Sequence, residues 1–147
     1  MTYVTSNFPT DPNYVAQIIR DVAKAEVMPR FRNLDASDIS EKSPKNFVTT
    51  ADIESEKRLA QDLTALLPGS VAIGEESVED DPSLLDALNE DLPVWILDPV
   101  DGTGNFAAGK ACFALIVAYC VGGETLAGWI HDPINDVTVW AVKGEGA

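Results

Sequence analysis

Trp95-Ile96-Leu97-Asp98-Pro99-Val100-Asp101-Gly102-Thr103-Gly104-Asn105-Phe106 is the stretch on which the fold turns. Read one way, Gly102-Thr103-Gly104-Asn105-Phe106-Ala107 matches Gly-x-Gly-x-x-Gly/Ala, and Glu124 follows about 20 residues on, as a dinucleotide fold requires. The context rejects that reading. Asp98 and Asp101 would face a pyrophosphate with no cation between them, and a β-hairpin follows where a βαβ unit needs a helix and a parallel strand. Read the other way, a short apolar strand, Val94 to Leu97, delivers two aspartates onto a tight Gly-rich turn. Pro99 stiffens the turn, and Gly102 permits a positive φ and a close backbone approach.

Downstream the pattern is all strand. Ala111 to Val121 is a long β-type run and Gly122-Gly123 a hairpin turn. Thr125 to His131 is the return strand, Asp132-Pro133-Ile134-Asn135-Asp136 another turn, and Val137 to Val142 a third strand. Upstream the pattern is mostly helical. Asp11 or Thr10 caps a helix with Pro12 in its first turn, and Val15, Ile18, Ile19, Val22 and Ala23 recur at helical spacing until Pro29. Asn33 to Ser43 is polar, with a short strand near Ile39. Thr49 and Asp52 form a Thr-x-x-acid helix start close to a capping box. Leu59, Leu63, Leu66 and Leu67 give that helix its stripe, and Pro68-Gly69 stops it. Val71 to Gly74 is a short strand running into Glu75-Glu76, and Ser83 to Leu88 a short helix. The expectation is α+β: two helices packed on an antiparallel sheet. One domain over residues 1–147 fits the length, and the last strand, near the end of the chain, leaves a sheet edge open.

Charge narrows the function. The formal net charge is -14 and the hydrophobic content 46%. That balance describes a globular protein and argues against nucleic-acid partners and anionic membrane surfaces. No segment is long and apolar enough to span a bilayer. The N-terminus has no signal-peptide pattern. Cys112 and Cys120, if on one strand, lie roughly 26 Å apart, far beyond the ~7 Å limit for a bridge. They read as reduced core residues, which fits a cytoplasmic protein.

No Lys or Arg lies between Arg58 and Lys110, and that interval holds Glu75, Glu76, Glu79, Asp80, Asp81, Asp86, Glu90, Asp91, Asp98 and Asp101. Two unit charges ~4 Å apart repel by roughly 4 kcal/mol at an effective dielectric of ~20. Several such pairs would strain a domain whose whole stability is about 5–15 kcal/mol. Either these acids stand apart in solvent or a hard divalent cation gathers some of them. Two places share one design, an apolar strand followed by acids. If the strands that end at Gly74 and Leu97 are neighbours, Glu75, Asp98 and Asp101 meet. Carboxylates for metal beside the amides of Gly102, Thr103 and Gly104 is a layout suited to metal-assisted phosphate hydrolysis.

Asp98-Pro99-Val100-Asp101-Gly102-Thr103 resembles the Asp-Pro-[Ile/Val]-Asp-Gly-[Thr/Ser] signature of the inositol monophosphatase family. Gly74-Glu75-Glu76-Ser77 resembles that family's Gly-Glu-Glu motif, and Val48-Thr49-Thr50-Ala51-Asp52 its Val-Thr-x-x-Asp motif. The meander through Gly128-Trp129-Ile130-His131-Asp132-Pro133 is also similar, and the likeness runs from about Tyr14 to the last residue. Gly104 departs from the Thr or Ser of many relatives.

The resemblance implies a Mg²⁺-dependent phosphomonoesterase acting on a small phosphorylated metabolite such as inositol monophosphate, through a metal-activated water. It implies the N-terminal part of an αβαβα sandwich, here a metal-binding α+β unit without the C-terminal α/β domain, and it allows a homodimer. It implies that Glu75 and Asp98 hold one Mg²⁺ with the Val100 carbonyl, and that Asp98 and Asp101 share a second. Thr103, paired with Asp52, would orient and deprotonate the water, which places Asp52, Thr103 and Glu75 in the catalytic set. The amides of Gly102 and Thr103 would hold the phosphate. Lys42 and Lys45 would stand on a loop near it or simply in solvent. The competing expectation is a metal-binding or self-associating fragment without turnover. His131 and the three tryptophans read as structural.

Overall fold

The computed structural model describes residues 7–43 and 46–147. Lys45 lies outside them, and of Lys42 only the backbone is described, so the expectation for those lysines falls outside the described residues.

Helix α1 (Pro12–Val22) starts at Asp11, whose side chain accepts the Asn13 N–H. It buries Val15, Ala16, Ile19 and Val22. The helix then widens into a π turn over Ala23–Val27 before Pro29, which has no N–H to continue the ladder. A short hairpin, β1 (Ile39–Ser43) with β2 (Asn46–Thr49), leads into α2 (Thr50–Leu66). Glu26 ties the two helical segments together, accepting from Arg30 and Arg58 at 2.8 and 3.3 Å.

The main sheet has the order β3-β4-β5-β6-β7: β3 (Val71–Gly74), β4 (Pro93–Asp101), β5 (Ala114–Val121), β6 (Glu124–Asp132) and β7 (Val137–Val142). Strands β4 to β7 form the expected antiparallel meander, whereas β3 joins β4 in parallel. The α+β expectation holds, with a mixed sheet. The parallel pair matters most for the site, because only parallel neighbours end on the same side. Gly74 pairs with Leu97, so Glu75 and Asp98 both follow that last pair.

The core lies between the helices and one sheet face. Leu59 and Leu63 of α2 meet Trp95, Leu97, Leu115, Val117 and Trp129, all 2% exposed or less. Phe8 wedges edge-on against Trp95, Tyr119 and Trp129 with ring centroids 5.1–5.9 Å apart. Such aromatic pairs add ~0.5–1.5 kcal/mol each beyond their buried area. His131 is structural, as read from the sequence: it is buried and its Nδ1 lies 2.8 Å from Thr138 Oγ1 across the β6–β7 pair.

Several local readings change. Helix α3 (Glu75–Asp80) and helix α4 (Thr103–Ala107) occupy stretches read as loop and turn. Strand β5 begins at Ala114, not Ala111, because Lys110 N–H bonds back to the Asn105 carbonyl and Asn105 Nδ2 to the Cys112 carbonyl. That local turn leaves Cys112 exposed, whereas Cys120 is buried as expected, and both are free thiols. Among the described residues no helix is long and apolar enough to cross a membrane.

Candidate metal centre

Strand β4 does not stop at Asp98. It runs on to Asp101 through a β-bulge: Asp98 pairs with Ile116 and Asp101 with Ala114, so β4 spends one residue more than β5 between the two pairs. Pro99 lies inside the irregularity, where a missing N–H costs no ladder bond. Gly102 follows at φ +93 as the cap of α4. A Cβ there would lie 2.8 Å from the Cys112 carbonyl oxygen and 3.3 Å from Phe113 Cα. Glycine is therefore required both by conformation and by the close crossing of the chain.

Asp52 uses its two oxygens for separate tasks. Oδ2 accepts the Thr49 N–H at 2.8 Å and the Thr49 hydroxyl at 2.5 Å, completing a capping box in which Asp52 N–H points at Thr49 Oγ1. Oδ1 lies 2.8 Å from Thr103 Oγ1, which is also 2.9 Å from the Val100 carbonyl oxygen. The Thr103 hydroxyl has one proton for two acceptors. Asp52 is 2% exposed, and burial is the main cause that raises its pKa against the hydrogen bonds that lower it. Asp52 thus starts α2 through Thr49 and reaches Thr103 with its other oxygen.

Asp98 carries the strongest electrostatic signal. Its pKa is raised to about 6, first by burial, then by the charges of Glu75, Asp101 and Asp52, and by a hydrogen bond shared with Asp101. The carboxyl groups foreseen from the sequence therefore act on one another. Glu75 and Asp98 line one cavity of about 300 Å³ with Val78, Leu85, Leu88 and Ile96. Asp101 and Gly102 line a neighbouring one of about 450 Å³ with Asn105, Cys112 and Asp132. A larger cavity of about 480 Å³, lined by Val48, Glu56, Lys57, Glu76 and Ser77, includes neither Asp98 nor Asp101.

The convergence is incomplete: among the described residues no three His, Cys, Asp or Glu side chains are arranged as a ready metal-holding group. The residues nonetheless fit a divalent cation. Asp98 Oδ1 is buried and finds no hydrogen-bond partner, an omission that normally costs about 1–3 kcal/mol. The donor set, side-chain carboxyls and a backbone carbonyl, consists of hard oxygens suited to Mg²⁺.

Sequence reasoning missed Glu56. It is 8% exposed, and its carboxyl accepts the Glu76 and Ser77 N–H groups at 2.9 and 3.0 Å. The signal was available: the stripe Leu63, Leu59, extended backwards at helical spacing, lands on Glu56 and Asp52.

The chain resembles known proteins in sequence and in fold. The model of the inositol monophosphatase family matches residues 12–147. The Nus factor SuhB of Pasteurella multocida is 36% identical over 106 residues, which cover 72% of this chain and 38% of that protein. The inositol-1-monophosphatase of Mycobacterium bovis is 37% identical over 105 residues, 71% of this chain and 36% of that protein. Among solved structures, the IMPase of Thermotoga maritima superposes with a TM-score of 0.76 at 26% identity, covering 92% of this chain and 49% of that one. The SuhB protein of Bartonella henselae gives 0.74 at 30% identity, with 92% and 50% covered. The chain thus spans less than half the length of those curated relatives. Because the match begins at the first residue of α1 and takes in the capped Asp52, the Gly74–Ser77 turn and the bulged Asp98–Thr103 strand end together, the chain belongs to the inositol monophosphatase family.

Proposed function

We propose that this chain carries the metal- and water-handling part of a Mg²⁺-dependent phosphomonoesterase that hydrolyses a small phosphorylated metabolite such as inositol monophosphate. The observation that carries the reading is the buried, partnerless Oδ1 of Asp98, set among the charges of Glu75, Asp101 and Asp52. In this reading Glu75, Asp98 and the Val100 carbonyl hold one Mg²⁺, and Asp98 and Asp101 share a second. Bound Mg²⁺ supplies Lewis acidity, which acidifies a water and stabilises the leaving oxygen.

The chain's own groups handle the proton. Thr103 Oγ1 takes the proton of the attacking water as it hands its own to Asp52 Oδ1, at the 2.8 Å separation between them. Burial of Asp52 strengthens it as the acceptor. The other oxygen of Asp52 stays fixed by Thr49, so the relay cannot swing away. The amides of Gly102 and Thr103, at the positive-φ turn that begins α4, hold the phosphate.

A second reading, a segment that binds metal or associates with itself without turnover, is favoured by β7, which lies at the edge of the sheet. Phosphate release from inositol 1-phosphate by the purified chain separates the two. Mg²⁺-dependent release that disappears in Asp98→Asn supports the phosphatase reading. Release that survives unchanged in Asp98→Asn contradicts it, and saturable Mg²⁺ binding without any release favours the second.

A further inference from the structure

Glu56 sits one turn beyond Asp52 on α2 and is almost fully buried. Its Oε1 accepts the N–H of Glu76 at 2.9 Å and its Oε2 that of Ser77 at 3.0 Å, so it grips the two residues directly after Glu75. Its side chain also fills the space beside Gly74, where a Cβ would lie 2.2 Å from Glu56 Cδ and Oε1. Ser77 closes the turn from the other side, accepting the Gly74 N–H at 2.9 Å and donating to the Gly74 carbonyl at 3.0 Å. Glu56 thus holds Glu76 and Ser77 directly and packs against Gly74, which Ser77 also ties, so the backbone on both sides of Glu75 is fixed.

From this geometry we infer that Glu56 is a positioning residue that sets Glu75 against Asp98, an inference that rests on the metal-centre reading above. Spacing explains why one helix can do this. Residues four apart lie on one face of a helix, and Asp52 and Glu56 are both buried on α2. Asp52 reaches the turn after β4 through Thr103, and Glu56 reaches the turn after β3 through Glu76 and Ser77. Helix α2 thus joins the two acid-bearing turns.

The test uses Mn²⁺ as the probe and the full 147-residue chain. In Glu56→Gln one acceptor oxygen becomes an NH₂ donor, so only one of the two N–H groups keeps its partner. The expected result is a Mn²⁺ Kd weakened by about 10–100-fold, the usual effect of losing an outer partner of a metal ligand. Amide hydrogen exchange should accelerate at Glu76 and Ser77 while the β5 and β6 amides keep their protection. Gly74→Ala attacks the same contact from the opposite side and should weaken Mn²⁺ similarly, and it decides the matter if Glu56→Gln fails to fold. Adding Glu56→Ala to Gly74→Ala should cost less than the two single losses combined, because each removes what the other clashes with or contacts. Mn²⁺ binding within twofold of wild type in the folded Glu56→Gln chain, or in Gly74→Ala, overturns the inference and leaves the metal centre standing. A wild-type chain that binds no Mn²⁺ overturns both.

Discussion

Asp98 shares its surroundings with Glu75, Asp101 and Asp52, and its raised pKa of about 6 makes it a source of instability when ionised. The sign follows from proton linkage. Between the ordinary 3.8 and about 6 the folded chain binds more protons than the unfolded one, so this group's contribution to stability falls as pH rises through that window. His131, held below its ordinary pKa by burial, acts in the opposite sense by losing stability as pH falls below 6.5. A difference between variants isolates Asp98. Without divalent metal, Asp98→Asn should be more stable than wild type above pH 6, by on the order of 1 kcal/mol after discounting for solvent screening. The advantage should shrink on acidification and vanish near pH 3.8. Urea unfolding of both chains across that range is the check, and a constant difference at all pH values contradicts the assignment. The acids themselves were legible in the sequence, because each motif places charge directly after an apolar run. Glu56 was legible only as a position on the buried stripe of α2, and its role was not, since its partners are backbone amides twenty residues away or more.

At the scale of elements, the strands and the two long helices follow from periodicity and capping, and the structure reproduces them. The short helices do not, for a physical reason. Helix α4 has five residues, too few for intrinsic propensity to matter, and it forms because Phe106 is completely buried and the Gly102 carbonyl accepts its N–H. The parallel pairing of β3 with β4 is equally invisible in residue pattern, although it brings Glu75 beside Asp98. The bulge at Pro99 was readable only as a stop, because a proline inside a strand usually ends it. The tight crossing at Gly102 makes the element-level prediction. Gly102→Ala combines a positive φ with a 2.8 Å clash against the Cys112 carbonyl oxygen. It should destabilise the fold by about 2–4 kcal/mol. The effect should appear as a lower urea midpoint with an unchanged m-value. A midpoint equal to wild type would mean that the turn does not press on the Cys112-Phe113 segment ahead of β5 as described.

Over the whole molecule, one face of the sheet is sealed by α1 and α2, and the site lies where β3 and β4 end beneath α2. The apolar core holds the strand ends still, while the carboxyl groups beyond them repel one another. The strongly acidic balance of the chain, -14, makes sense if part of that charge is there to be neutralised by bound metal. Sequence motifs named the candidate ligands, and the structure adds the bonds by which Asp52 and Glu56 of α2 reach two of the turns. The most direct test is a Mn²⁺ titration of the chain followed by electron paramagnetic resonance, with Asp98→Asn alongside. Saturable binding by the wild type that is lost or weakened at least tenfold in the variant is the predicted result. Equal binding by both chains, or none by either, would contradict a metal centre built on Glu75, Asp98 and Asp101.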